Sequence, residues 1–93
     1  MEELQRSIAS QTALQVERLS SARERMELAD VNLRLSESTL SAEEAKADAG
    51  RAILKDVLEA QTDVARKKAE AAKARTDYQI ARAELLKLQG QLE

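Results

Sequence analysis

Proline, cysteine, histidine, tryptophan and phenylalanine are all missing from this 93-residue chain, and the only aromatic ring is that of Tyr78. Without cysteine or histidine there is no thiol nucleophile, no disulfide, no imidazole base and no route to the commoner transition-metal sites. An enzyme, a metal site or any other cofactor is therefore not expected. With one aromatic residue and much of the apolar content in alanine, a thick globular core is not expected either. Charge of a single sign is also lacking, since 15 basic and 17 acidic residues leave a formal net charge of −2. The longest basic block, Arg66-Lys67-Lys68, has Glu70 close behind it, so no nucleic-acid surface is expected. Apolar runs extend for only a few residues, far below the ~20 that cross a bilayer. Mixed charge and missing aromatic anchors argue against a membrane-surface helix. Met1-Glu2-Glu3 has neither a cationic nor an apolar leader character.

Ala, Glu, Lys, Arg and Leu dominate, with 43% hydrophobic and 34% charged residues, the composition of long helices and coiled coils. Gly50 and Gly90 are the only strong breakers. Gly50 divides the chain near its middle, and glycine readily takes the left-handed conformation that ends a helix. The sequence predicts an all-α fold, a long antiparallel two-helix hairpin of coiled-coil character. Its helices run over about 2–46 and 52–90, with a turn at about 47–51. The competing reading is one continuous helix carrying Gly50 at a cost of about 1 kcal/mol.

Heptad rows define the contact faces. In the first half Leu19, Met26, Leu33 and Leu40 recur every seven residues, with Ala22, Ala29 and Ser36 in the alternate position. A second row, Leu14, Leu28 and Leu35 with Ser21 in the gap, widens the apolar face and predicts neighbours on two sides. In the second half Val57, Val64, Ala71, Tyr78, Leu85 and Leu92 form one row. Ile53, Ala60, Lys67, Ala74, Ala81 and Leu88 form its companion. Tyr78 reads as a packing residue in that register. Large apolar residues disappear between Leu40 and Gly50, which relaxes packing before the turn.

Asp56 and Glu59 are three residues apart just past the turn, hence on one helical face. Carboxylates at a helix start are favoured by its dipole by about 0.3–1 kcal/mol, which is reason enough for their presence. General acid–base chemistry is not expected of them, because nothing nearby builds a pocket that would shift their titration.

The segment Gly50-Arg51-Ala52-Ile53-Leu54-Lys55-Asp56-Val57-Leu58-Glu59-Ala60-Gln61 resembles the stretch after the periplasmic turn of TolC-like outer-membrane efflux proteins. Ala74-Arg75-Thr76-Asp77-Tyr78-Gln79-Ile80-Ala81 is similar to the Ala-Arg-x-Asp-Tyr-x-x-Ala pattern on that family's last long helix, and Leu88-Gln89-Gly90-Gln91-Leu92 to its end. Upstream, Ala22-Arg23-Glu24-Arg25-Met26-Glu27-Leu28-Ala29 with Asn32-Leu33-Arg34-Leu35 is similar to the preceding helix. The resemblance covers roughly residues 14–92. It implies a periplasmic tip hairpin of an outer-membrane duct in a Gram-negative bacterium, serving multidrug efflux or type I secretion. The full-length protein would be a homotrimer that docks a membrane-fusion adaptor. Ala45, Ala47, Asp48, Ala49, Gly50, Arg51 and Ile53 would form the docking tip, and Asp56 and Glu59 a ring of carboxylates at the tunnel constriction.

Two departures accompany the resemblance. Gly50 follows Leu35 by fifteen positions, about one heptad more than the family pattern. Where some members carry a latching tyrosine and arginine, this chain has Ala47 and Ala52, with Arg51 one place early, so the latch is not carried over. Two other readings compete. The α-hairpin of the adaptor itself needs an arginine, a leucine four residues on and a serine seven beyond, yet Arg82 with Leu86 leads only to Glu93. A generic coiled-coil oligomerisation module, with no transport role, is the third.

Overall fold

A computed structural model describes residues 2–92, and the side chains in that range apart from those at 8, 91 and 92. The described residues form two helices and no strand: α1, Glu2–Asp48, of 47 residues, and α2, Leu54–Leu92, of 39 residues. They pack against each other as an all-α hairpin, which removes the continuous helix as a reading. Glu2 and Glu3 in the first turn of α1 and Lys46 in its last turn match the sign of the helix dipole.

The reversal lies a little later than the sequence predicts, because the glycine occupies the position just beyond the helix end. Gly50 has φ of +73°. Its amide donates to the carbonyl of Ala47 at 3.0 Å, and the amide of Arg51 donates to the carbonyl of Lys46 at 2.7 Å. These are the two bonds of a Schellman motif, which satisfies carbonyls that a helix end leaves unpaired. With Gly50 in that role, α1 continues through Asp48, two residues past the expected end. α2 starts two residues later than expected, at Leu54, with the amide of Asp56 donating to the carbonyl of Ile53 at 3.1 Å.

Contacts divide the chain into two units, Met1–Met26 with Ala74–Glu93, and Glu27–Lys73. In the first, the heptad positions Thr12, Gln15, Leu19, Ala22 and Met26 of α1 are buried or half-buried, as are Ala74, Tyr78, Ala81, Leu85 and Leu88 of α2. The second unit continues the pattern with Ala29, Leu33, Ser36, Leu40, Glu43 and Ala47 against Val57, Ala60, Val64, Lys67 and Ala71. The most enclosed of these are small, Ala22 at 2% and Ala71 at 3% exposed, so the seam excludes water with little side-chain volume. Buried Ser36 is satisfied locally, its hydroxyl donating to the carbonyl of Leu33 at 2.7 Å. Half-buried Lys67 turns its Nζ to Glu70 at 3.5 Å, keeping the charge at the seam's edge while its stem packs.

The seam departs from the sequence reading at one position. Ile53 belongs to the companion row by spacing but precedes α2 and is 63% exposed, so the enclosed seam of α2 begins at Val57. Leu92, placed in the other row, lies outside the described side chains. The second row of α1 does not enter the seam at all, with Leu14, Leu28 and Leu35 all exposed.

Candidate functional site

The residues singled out by sequence gather around the reversal, within the unit Glu27–Lys73. Ala45, Ala47 and Asp48 form the last turn of α1, Ala49, Gly50 and Arg51 make the reversal, and Ile53 leads into α2. All are exposed except half-buried Ala47. Their presentation follows from the Schellman motif: its hydrogen bonds are made entirely by backbone, so the side chains around it are left to solvent.

Asp56 and Glu59 line a shallow groove of about 530 Å³ together with Thr39, Glu43, Lys46, Arg51, Ala52, Ala60 and Asp63. Asp56 lies in the first turn of α2, where the dipole favours a carboxylate. The groove holds four carboxylates, from Glu43, Asp56, Glu59 and Asp63, and two cations, from Lys46 and Arg51. Several of these groups are engaged along their own helix. Lys46 Nζ lies 3.4 Å from Glu43 Oε1, Lys55 Nζ lies 3.8 Å from Glu59 Oε1, and Arg66 donates to Asp63 Oδ1. The hydrogen bond that Arg66 donates to Asp63, reinforced by the carboxylate's charge, raises the pKa of the Arg66 guanidinium above its ordinary value. Among the described residues no cluster of carboxylates is arranged to hold a metal ion.

Glu43, Lys46, Asp63 and Thr39 complete the groove and were not picked out by sequence. A signal for them exists in the same heptad that marks the seam. Asp56 and Asp63 are seven apart on α2, and Thr39 and Lys46 are seven apart on α1, each pair on the row beside the core. A second depression of about 460 Å³ follows the outer face of α2, lined by Leu54, Lys55, Leu58, Glu59, Thr62, Asp63 and Arg66. In it Leu54 and Leu58 remain 72% and 51% exposed, one helical turn apart. No helix among the described residues is long and apolar enough to cross a membrane.

No family model, no curated protein and no solved structure matches the chain.

Proposed function

We propose that the chain is the periplasmic tip hairpin of a TolC-like outer-membrane duct, a structural and interaction module that meets a membrane-fusion adaptor and forms the tunnel entrance. The observation that carries the reading is the coincidence, at one end of the hairpin, of a glycine-reversed tip and the carboxylates Asp56 and Glu59 just beyond it. That is the order in which the resembled family presents its adaptor-facing tip and its constriction. Exposed leucines along the outer rows of both helices also support it, since each hairpin of a closed wall needs an apolar face for each neighbour.

In this reading Ala45, Asp48, Ala49, Arg51 and Ile53 contact the adaptor. Asp56 and Glu59, repeated around the axis of a trimer, make a carboxylate ring that draws cations and repels anions. Two experiments test it. Purified membrane-fusion adaptor is titrated with the chain and with an Asp48→Lys, Arg51→Glu variant; binding that the variant weakens supports the tip assignment, and absence of binding to the parent chain sinks it. In the full-length protein, Asp56→Ala with Glu59→Ala alters cation block or conductance; unchanged conductance removes the ring.

A further inference from the structure

The amides of Ala49, Gly50 and Arg51 close the reversal onto the carbonyls of Ala45, Ala47 and Lys46. The large apolar side chains beside it bury little, with Ile53 63% and Leu54 72% exposed. Of the residues between the helices only Gly50 strongly disfavours a straight helix, since Ala49, Arg51 and Ala52 are good helix formers and Ile53 is intermediate. Straightening would also offer the carbonyls of Gly50 and Arg51 to the amides of Leu54 and Lys55, which open α2 and have no partner within it. The segment suits either conformation, and one glycine tips it toward the turn.

The heptad count also runs through the reversal unbroken. On α1 one buried or half-buried row is Ala22, Ala29, Ser36 and Glu43; on α2 one is Val57, Val64, Ala71, Tyr78 and Leu85. Glu43 and Val57 are fourteen apart with Gly50 midway, so both rows belong to a single series of sevens. Seven residues of helix return to within about 20° of the same direction. A non-helical turn has no need to keep this count, whereas a continuous helix does. The companion rows lie on opposite sides of that series, Ala47 four residues after Glu43 and Ala60 three after Val57. The centre of the buried stripe thereby shifts by only about 50° from one half to the other, so a straight helix would keep both stripes on one side.

We propose that a second copy of this chain opens the hairpin by exchanging α2: in the pair each chain is one continuous helix, and α1 of each packs on α2 of the other. The seam residues are those of the hairpin, met between chains instead of within one, so the exchange alters only the conformation of the reversal. The pair is two-fold and closed, and association stops at two. It also erases the tip, because the residues that protrude at the reversal become the midpoint of a straight helix. Chain concentration thus governs whether the tip exists. The exchange does not depend on the duct reading.

Two substitutions push the equilibrium in opposite directions. Gly50→Ala penalises the left-handed turn and favours helix. Leu54→Pro fits the first position of α2 in the hairpin but blocks a straight helix, where its ring would meet the carbonyl of Gly50. With two chains per pair, Gly50→Ala should raise the association constant roughly a thousandfold or more, and adding Leu54→Pro should lower it again by a similar factor. Sedimentation equilibrium after refolding at several concentrations reads this, and circular dichroism checks that each variant keeps its helicity. The unmodified chain and Leu54→Pro alone, refolded at high concentration, repeat the comparison with the glycine in place; several-fold less dimer is expected in the second. Because the chain has no cysteine, Ser20→Cys with Ala83→Cys places two spin labels at exposed sites of one unit. Diluted with excess unlabelled chain, the Gly50→Ala dimer should show an intrachain separation of about 95 Å, the length of continuous helix between them. A Gly50→Ala chain that stays monomeric at every concentration, a dimer that keeps a short intrachain separation and so consists of intact hairpins, or dimerisation indifferent to Leu54→Pro would each overturn the proposal.

Discussion

The amide of Arg51 donates to the carbonyl of Lys46 across the reversal at 2.7 Å, and Gly50 between them holds φ at +73°. A Cβ built on Gly50 would have no heavy atom within 4 Å, so the demand for glycine is one of backbone conformation and not of space. Gly90, inside α2, likewise has open space but no left-handed φ.

The two glycines therefore answer oppositely to alanine. Gly50→Ala should lower stability by about 1–2 kcal/mol, the cost of a left-handed residue with a Cβ. Gly90→Ala should be neutral or stabilise by up to about 1 kcal/mol through helix propensity. Thermal melts followed by circular dichroism decide this, and amide exchange should show the Arg51 N–H losing protection in the first variant. Equal effects at both positions would contradict the Schellman assignment.

Seam and flank should separate in the same way. Ala71 is almost wholly enclosed, and Ala71→Leu overpacks the seam, costing about 1–3 kcal/mol. Leu28 is 60% exposed, and Leu28→Ala should change the stability of the isolated hairpin by no more than about 0.5 kcal/mol. Urea titrations of the two variants, compared at one protein concentration, check the contrast.

How much of this was legible in the sequence follows from what a heptad can encode. Spacing fixes which residues face a partner helix, so Leu19, Ala22, Met26, Ala29, Leu33, Ser36 and Leu40 are all buried or half-buried as their rows predict. It does not mark where the helix starts, and Ile53 continues the row numerically while lying outside α2. The tip residues were legible through Gly50. The groove around Asp56 was legible only in part, because Glu43 and Thr39 come from the other helix and sequence separation hides their proximity.

Gln15 occupies a seam position in the unit that includes Met1–Met26, and its Oε1 is buried without a hydrogen-bond partner among the described residues. Gln15→Leu keeps similar volume and removes an unsatisfied acceptor, so the variant should gain about 1–2 kcal/mol. Chemical denaturation measures it; a loss of stability would show that the amide is satisfied in solution.

Ser36→Ala should also be tolerated. Among the described residues its hydroxyl bonds only to the carbonyl of Leu33 within the same turn, so its removal strands no described group on α2. A gain of about 0.5 kcal/mol from helix propensity is expected in a thermal melt. A loss above about 1 kcal/mol would mean that the hydroxyl also serves the opposite helix.

Because the reversal is closed by main-chain bonds and one glycine, the letters around it are free to change without refolding the hairpin. Ala45, Asp48, Ala49 and Arg51 are thus an editable surface on a fixed bracket. Selection, or an engineer grafting a recognition patch, can rewrite the chemistry that the tip presents while the packing that holds it in place is inherited unchanged.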